Sequence, residues 1–236
     1  MAQTTIIVPI YNEEKRAVTF LNELVEFCKS HNESYKIILV NDGSEDGTLS
    51  LLRLIKKTNN DLVQIISYPK NKGKGYAVRC AILTCITEYV IFIDSDGSIS
   101  TNEIPKILEE LENFDVVVGS RALKNSRVNQ PIYRKLTALI FNFLVNVIFS
   151  SNIKDNLCGI KGFNKHAAHI LFSKLQTNRW IFDVEIFYRI RKEKFTLQQI
   201  PISWKYKSGS KIRFYDPFLM FINLISLRLK LIFCVS

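Results

Sequence analysis

The sequence is poor in the side chains that bind zinc or form disulfides. It has 3 histidines and 5 cysteines among 236 residues. The cysteine number is odd and no two cysteines are spaced like a zinc knuckle or a redox pair, so we expect thiols that serve as small apolar side chains in a reducing compartment. His166 and His169 have no third ligand near them and are expected on a helix surface. These absences argue against a zinc-centred or disulfide-linked protein.

The sequence also lacks an apolar run long enough to cross a bilayer. The run at residues 136–149 has 14 residues, three of them polar, whereas a membrane span needs about 20. It predicts a core helix or an interfacial one. In the C-terminal stretch, residues 214–236, Arg228 and Lys230 alternate with leucines. This pattern is typical of a basic amphipathic helix on anionic lipid, and a docked C-terminal helix is the alternative. We expect no signal peptide.

Basic residues are scarce in the first half and acidic ones in the second. Residues 1–120 carry 12 Lys and Arg and 17 Asp and Glu, whereas residues 121–236 carry 20 and 5. This asymmetry indicates an anionic partner for the second half, such as nucleic acid, acidic lipid or a lipid phosphate. No nucleic-acid-binding motif is present, and the basic residues lie among long apolar runs, so we expect no nucleic-acid partner.

Apolar, β-branched segments alternate with helix-periodic segments and short links. Strands are predicted at residues 4–8, 36–41, 62–66, 90–93 and 115–120. The alternation predicts an α/β fold in which helices cover both faces of a mostly parallel central sheet. Ligands of such folds bind at the carboxyl ends of the strands. Asn12, after the first strand, is predicted to cap the first helix.

Two aspartates, Asp94 and Asp96, directly follow the apolar strand at residues 90–93. Both carboxylates can reach one hard divalent cation and leave coordination positions for phosphate oxygens. A helix-loop-helix calcium site is excluded, because its glycine and glutamate positions hold Ile99 and Pro105. The pair therefore predicts a metal–diphosphate site, and a polar loop that closes the strand is the alternative.

A glycine-rich loop with two lysines, NKGKG, occupies residues 71–75. It lacks the GxxxxGK[ST] spacing of a phosphate-binding P-loop, and Val78 stands where a dinucleotide fingerprint needs a third glycine. We expect Gly73 and Gly75 to allow close backbone approach at a helix start. The lysines are predicted to meet phosphate or to lie in solvent.

Four motifs of the first half occur together: VPIYNE at 8–13, VNDGSEDGT at 40–48, NKGKG at 71–75 and DSD at 94–96. Their order and spacing resemble those of the family-two glycosyltransferases, inverting enzymes with the nucleotide-diphospho-sugar transferase fold called GT-A. The resemblance implies that Asp94 and Asp96 hold Mg²⁺ or Mn²⁺ against the donor diphosphate and that Asp42 hydrogen-bonds the base. The nucleotide-binding residues that it implies are Pro9, Tyr11, Glu13, Asp42, Lys74, Asp94 and Ser95.

Blocks of the second half resemble a narrower branch, the dolichyl- or polyprenyl-phosphate sugar synthases of the glucosyl or mannosyl type. These blocks are DNLCGIKGF at 155–163, RWIFDVE at 179–185, IPISW at 200–204 and GSK at 209–211. The glucosyl type looks closest. The branch implies that Arg121, Arg134 and Lys211 meet the phosphate of the lipid acceptor or the donor diphosphate.

One departure concerns the metal and the sugar. The mannosyl type often carries glutamine where this sequence has Ser98, which disfavours GDP-mannose and leaves the third metal ligand open.

An inverting transfer needs a nucleophile opposite the leaving nucleotide, and an anionic lipid phosphate can attack without a general base. Asp94, Asp96, Arg121 and Asp183 are the predicted catalytic residues. If the acceptor is a hydroxyl, Asp183 or Glu185 is the candidate base, and a charge pair that organises the pocket is the alternative.

The sequence predicts a metal-dependent hexosyltransferase that uses UDP-glucose, or else GDP-mannose, and a polyprenyl or dolichyl phosphate. We expect a peripheral protein on the cytoplasmic face of a membrane, and a separate membrane subunit is left open. The predicted GT-A domain spans residues 1–213, with a nucleotide-binding half at 1–98 and an acceptor-binding half at 99–213, and the interfacial helix follows at 214–236. One alternative is a family-two enzyme that acts on a saccharide or other hydroxyl acceptor in cell-envelope glycan synthesis. The other is a non-catalytic basic protein that binds anions or membranes.

Overall fold

The computed structural model describes residues 3–31, 34–129, 131–207 and 216–233, without the side chains of 133, 134, 216–221, 232 and 233. The strands are β1 Thr4–Ile10, β2 Tyr35–Asp42, β3 Val63–Tyr68, β4 Tyr89–Ile93, β5 Val116–Ser120, β6 Arg127–Asn129, β7 Ile160–Asn164, β8 Leu197–Pro201 and β9 Ser203–Lys205. The helices are α1 Ala17–Ser30, α2 Thr48–Thr58, α3 Lys74–Ile82, α4 Ile104–Leu111, α5 Ile132–Phe149, α6 Lys165–Ser173, α7 Phe182–Lys192 and α8 Asp216–Phe233, and a 3₁₀ turn spans Thr101–Glu103.

Seven strands form a central sheet in the order β3-β2-β1-β4-β7-β5-β8. Of the strands described in this sheet, only β7 runs antiparallel to its neighbours β4 and β5, and the other pairs are parallel. The near-continuous apolar strands are buried because helices cover both faces. One face packs on α1, α2 and α4 and the other on α3, α6 and α7. The predicted α/β fold with a mostly parallel sheet is confirmed.

The sheet takes strands from both predicted halves of the chain. Strands β1 to β4 come from the first half, and β5, β7 and β8 from the second. The small parallel pair of β6 and β9 lies beside them. The division at residue 98 and the boundary at residue 213 stay predictions, and residue 213 lies outside the described residues.

The prediction for Asn12 was wrong. Helix α1 begins at Ala17, and no side chain caps it. Asn12 has a φ of 51°, and its side-chain oxygen accepts a hydrogen bond of 2.8 Å from the backbone N–H of Glu45. The side chain joins two loops, and the left-handed backbone that asparagine tolerates makes this turn.

Helices α5 and α8 pack on each other and on the start of α7. Their contact is an apolar cluster that contains Val145, Phe149, Ile181, Val184, Leu224, Leu227 and Leu231. Both helices also expose large apolar side chains, namely Ile132, Leu136, Leu139, Ile140, Phe143 and Val147 on α5 and Ile222, Ile225 and Leu229 on α8. Among the described residues, no helix combines the length and apolar character that crossing a membrane requires.

Candidate functional site

The loops after β1 and β2 are joined by hydrogen bonds at the carboxyl edge of the sheet. The backbone N–H of Asn12 donates to Ser44 Oγ at 3.0 Å, and that of Glu13 donates to Thr48 Oγ1 at 2.9 Å. In the other direction, the Gly47 N–H donates to the carboxylate of Glu14 at 3.2 Å. Side chains of one loop thus satisfy backbone groups of the other, which fixes the two loops that hold the predicted nucleotide residues.

Asp42 organises the glycine-rich loop. Its carboxylate is buried and accepts hydrogen bonds from the backbone N–H of Lys72 at 2.8 Å and of Gly73 at 2.9 Å. The Asn71 amide and the Tyr68 hydroxyl each donate to it at 2.8 Å. Burial and the bond to Asp42 raise the pKa of Tyr68 far above its usual range. The predicted contact of Asp42 with a base therefore involves a carboxylate that already has four protein partners.

The two glycines of this loop lie against the segment that leads into α7. Gly73 has a φ of 99°, where a side chain would be strained. A Cβ at Gly75 would lie 2.6 Å from Cβ of Phe182 and 2.9 Å from the carbonyl oxygen of Thr177. The Tyr76 N–H donates to the carbonyl of Asn178 at 3.1 Å. The predicted close approach is confirmed, and the partner is the α7 segment.

Asp94 is paired with the loop's second lysine. Asp94 Oδ1 lies 2.5 Å from Lys74 Nζ. Burial of Lys74 opposes its charged form, but the charges of Asp94 and Asp183 raise the pKa of Lys74 above its ordinary value. Close behind, Asp183 Oδ1 lies 2.9 Å from Nζ of Lys161. The two ion pairs thus form one cluster of mixed charge that runs from Asp94, at the carboxyl end of β4, to Lys161 in the interior.

Lys161 is fully buried on β7, opposite Phe92 of β4. Its Nζ donates to the carbonyl of Cys158 at 2.7 Å and lies over the Phe92 ring, 5.3 Å from the centroid. Burial raises the pKa of Asp183, and the charges of Lys161 and Lys74 oppose that rise. A buried charge needs a partner, so Lys161 and Asp183 explain each other's place in the core.

Asp94 and Asp96 suit a hard divalent cation. Both side chains are about one-third exposed, and carboxylate oxygens are the ligands that Mg²⁺ and Mn²⁺ prefer. Asp96 Oδ1 accepts from the Ser98 N–H at 2.9 Å, and the buried Ser98 hydroxyl has no protein partner among the described residues. Within the described ranges, no three His, Cys, Asp or Glu side chains gather as a metal group. The available protein donors are thus two carboxylates and, beside them, a hydroxyl.

Arg121, at the end of β5, is held by a carboxylate that the sequence did not single out. Its Nε and Nη2 donate to Asp155 at 2.7 and 2.8 Å, and its backbone N–H donates at 2.9 Å. The guanidinium also lies over Trp204, 5.5 Å from the ring centroid. Burial alone would raise the pKa of Asp155, but the hydrogen bonds and charge of Arg121 lower it below its ordinary value.

Glu185 fixes the loop before α7. The carboxylate is fully buried and accepts from the backbone N–H groups of Gln176 and Thr177, at 2.9 and 2.8 Å. It also accepts from the Thr177 hydroxyl at 2.7 Å and from Arg189 Nε at 2.8 Å. These partners give Glu185 a structural role, which leaves Asp183 as the remaining candidate base.

The remaining predicted residues differ in what the structure describes. Pro9 is buried in β1, Tyr11 is half-buried just after it, and Ser95 is buried between the two aspartates. Glu13 forms a 3.3 Å ion pair with Arg16, whose guanidinium also lies 3.8 Å from Asp96. The backbone of Arg134 lies in α5, but its side chain and the whole of Lys211 are outside the described residues.

Sequence reasoning missed Lys161, Asp155 and Arg16. Lys161 interrupts the apolar strand Ile160–Asn164, and a charge inside a buried strand was the available signal. Asp155 is one of the few acidic residues of the basic half. Arg16 had no signal, because its link to Asp96 exists only after the chain folds.

Comparison with known proteins agrees with this architecture. The profile of "Glycosyl transferase family 2" matches residues 5–172. A human protein named dolichyl-phosphate beta-glucosyltransferase is 32% identical over 97% of this chain and 75% of its own length. The Saccharomyces cerevisiae protein of the same name is 32% identical over 88% of this chain and 68% of its own.

Solved structures with the same fold are more distant in sequence. Glucosyl-3-phosphoglycerate synthase from Mycobacterium tuberculosis, in complex with Mn²⁺, UDP and phosphoglyceric acid, has a TM-score of 0.69 at 14% identity, over 97% of this chain and 78% of that one. A mannosyltransferase from Pyrobaculum calidifontis with GDP-Man and Mn²⁺ has a TM-score of 0.63 at 17% identity, over 93% and 60%. The GT-A fold is thereby confirmed, and the chain belongs to glycosyl transferase family 2.

Proposed function

We propose that this enzyme transfers a hexose, glucose in preference to mannose, from a nucleoside-diphosphate sugar to a polyprenyl or dolichyl phosphate. It does so as a peripheral protein on the cytoplasmic face of a membrane. The observation that supports this most is the position of Asp94 and Asp96 at the carboxyl end of β4, beside Lys74. Relatives named dolichyl-phosphate beta-glucosyltransferase support the lipid phosphate as acceptor.

Asp94 and Asp96 would hold Mg²⁺ or Mn²⁺, and the metal would neutralise the donor diphosphate as it leaves. The chain's own cations support the same charge. Lys74 contacts Asp94, so its ammonium lies beside the proposed metal carboxylates and would stabilise negative charge on the donor diphosphate. The interlocked loops after β1 and β2, with Pro9, Tyr11 and Glu13, would form the wall of the nucleotide pocket.

The acceptor side relies on positioning. A phosphate monoester is already anionic, so it needs orientation toward the sugar more than it needs a base. Arg121 offers the guanidinium fork that suits phosphate oxygens, and we propose Arg134 and Lys211 as further contacts. Asp183 is paired with Lys161, so in this mechanism it orients the lysines and abstracts no proton.

The exposed apolar stripe on α5 and α8 supports a membrane location. Six large apolar residues of α5 and three of α8 lie on the surface, and a patch of this kind marks an interaction site. Lipid suits it because the second half of the chain is strongly basic and anionic headgroups attract such surfaces. The stripe would bring the active site to the phosphate of a lipid whose chain stays in the bilayer.

The test is sugar transfer from labelled UDP-glucose and GDP-mannose, in parallel, to a long polyprenyl phosphate in detergent with Mg²⁺ or Mn²⁺. We expect lipid-extractable label from UDP-glucose that EDTA abolishes. Asp96→Asn should lower the rate at least about a thousandfold, since metal stabilisation of the leaving group contributes several kcal/mol. Asp61→Asn, an exposed carboxylate at the far end of β3, is the matched control and should be fully active.

Label on lipid from neither donor, with metal-dependent binding of UDP intact, would show that the acceptor is wrong and favour a family-two enzyme that acts on a hydroxyl. Label from GDP-mannose alone would correct the sugar. Binding of neither nucleotide would contradict the donor class itself.

A further inference from the structure

The guanidinium group of Arg121 is held along one edge and covered on one face, whereas its other N–H edge has no protein partner in the described chain. Asp155 takes Nε and Nη2 in a two-pronged pair, and Trp204 covers a face of the guanidinium. Within the described part of the chain, Nη1 donates to no protein group, and the side chain is 21% exposed. These contacts hold the guanidinium in one orientation, so its open N–H edge faces a fixed direction. An arginine side chain without such contacts rotates about four bonds and has no fixed orientation.

The residue after Asp155 is attached to the exposed apolar helix. Asn142 Oδ1, on α5, accepts from both the backbone N–H and the side-chain amide of Asn156, at 3.0 and 2.9 Å. Asn156 is fully buried. Asn142 is one of the polar residues that interrupt the apolar run of α5. A fully buried amide bound twice by one carbonyl oxygen is a firm attachment between helix and loop.

The other end of the same loop touches the metal aspartate. The Asp94 N–H donates to the carbonyl of Gly159 at 3.0 Å, and the Asp94 carboxylate lies where a side chain of Gly159 would be. Strand β9, which carries Trp204, is tied to the loop after Asp96, because the N–H of the next residue, Lys205, donates to the carbonyl of Ser98 at 2.9 Å. The loop at residues 155–159 thus links α5, Arg121 and Asp94.

We propose that Asp155 is a positioning residue that aims the open edge of Arg121 at the acceptor phosphate, and that Asn142 anchors Asp155 to the lipid-facing helix. This inference rests on the proposed function. It goes further in assigning the orientation of the acceptor site to a carboxylate and to an amide of α5, neither of which contacts a substrate.

The sign of the effect separates positioning from simple electrostatics. A carboxylate close to an anion site repels the anion, so if charge alone mattered, Asp155→Asn would strengthen binding of the acceptor phosphate. If Asp155 acts by aiming Arg121, the same change releases the guanidinium and weakens that binding. The two mechanisms predict opposite changes in the KM of the acceptor.

The experiment is a double-mutant cycle on the full chain with a long polyprenyl phosphate in detergent and UDP-glucose as donor. We expect Asp155→Asn to raise the acceptor KM about tenfold or more, since small misplacements of a binding group have large effects. The Kd of UDP should not change. In an Arg121→Ala background, Asp155→Asn should have almost no further effect, because Asp155 acts only through Arg121.

Each outcome has a clear meaning. An acceptor KM that is unchanged or lower in Asp155→Asn overturns the proposal, and so does an equal effect of Asp155→Asn in both backgrounds, which indicates general destabilisation. Wild-type protein that transfers sugar to no lipid phosphate overturns the proposed function and this inference with it. Active wild type with an unaffected Asp155→Asn overturns only the inference.

Asn142→Ala provides a second test that leaves the ion pair in place, in case Asp155→Asn does not fold. We expect the acceptor KM to rise about threefold, since the loop loses two modest hydrogen bonds to α5. Asn146→Ala is the matched control, because Asn146 is on the same helix and its amide contacts Ser151 instead, at 2.6 Å. Equal acceptor KM values in the two variants would overturn the anchoring role.

Discussion

The carboxyl edge of the sheet and the surface of α5 and α8 solve opposite problems. At the sheet edge, polar groups of the loops satisfy one another, as the four partners of the Asp42 carboxylate illustrate. On α5 and α8, large apolar side chains such as Phe143 and Leu139 are more than half exposed. Many polar groups of the first region are thus paired within the described chain, which suits a rigid pocket for a small polar molecule. The second has no cover within the described chain, which suits a surface that meets a bilayer.

The charges follow the same division. The first 120 residues are slightly acidic and the remainder strongly basic. Under the proposed function, a metal held by Asp94 and Asp96 would account for part of the acidity. Under the same proposal, lipid headgroups or a lipid phosphate would account for the excess of Lys and Arg. If the comparison is right, mutations at the sheet edge reduce stability, whereas mutations on the helix face reduce membrane binding and leave the fold intact.

The largest effect is expected at Asp42. Asp42→Ala removes the acceptor of the backbone N–H groups of Lys72 and Gly73 and of the Tyr68 hydroxyl, in a partly buried loop. Each unsatisfied buried donor costs about 1–3 kcal/mol. The free energy of unfolding in urea should therefore fall by about 3–5 kcal/mol. Asp61→Asn is the control and should stay within about 0.5 kcal/mol of wild type. A loss below about 1 kcal/mol for Asp42→Ala would mean that the loop finds other acceptors.

A substitution on the apolar face of α5 should have the opposite effects: unchanged stability and weaker membrane binding. Leu139 on α5 and Leu54 on α2 are 55% and 63% exposed, so replacement of either by glutamate should leave the midpoint of urea unfolding nearly unchanged. Only Leu139→Glu should weaken binding to vesicles of phosphatidylcholine and phosphatidylserine, by about tenfold or more, because it removes a leucine from the contact and adds a like charge to an anionic surface.

Cosedimentation with the vesicles checks this pair of variants. Equal vesicle binding by Leu139→Glu and Leu54→Glu would contradict the proposal that the apolar surface of α5 and α8 binds a membrane. A strong dependence of wild-type binding on salt with no difference between the variants would indicate a purely electrostatic surface.

The sequence predicted the first strands and the carboxyl edge of the sheet well, because local sequence patterns encode them. Apolar, β-branched segments mark β1 to β5, and in a parallel sheet the strand ends identify the edge where a site forms. The motifs place Lys74 and Asp94 at that edge, but their ion pair was not predicted. The links that lock the site were beyond local pattern. Lys161 needs Asp183 from a distant helix, and Arg121 needs Asp155, which is 34 residues away.

Asn12 shows that a local sequence pattern can also predict the wrong role for a residue. Its sequence context favours a helix cap, but a long-range bond to Glu45 prevails. Local preference decides a residue's role only where no tertiary contact competes for its side chain. The sequence is therefore informative about elements and about motifs at strand ends, and much less so about which buried polar groups find each other across the sheet.

The smallest effect concerns acid stability and compares one carboxylate from each half of the chain. The pKa of Asp155, in the second half, is lowered by Arg121 against the effect of burial. The pKa of Asp46, at the sheet edge, is also lowered, because several hydrogen bonds, among them those from Thr48, together outweigh the effect of burial. A carboxylate whose pKa is lower in the folded state stabilises the fold above its unfolded pKa, about 3.9, and loses that contribution as the pH falls through the folded value. Thermal melts should therefore show a steeper fall of Tm below about pH 4 for wild type than for Asp155→Asn. Asp46→Asn should follow the wild-type slope closely, because Asp46 is exposed and solvent screens its interactions. Parallel slopes for wild type and Asp155→Asn would show that the ion pair with Arg121 adds nothing to the fold, and that its role is confined to the site.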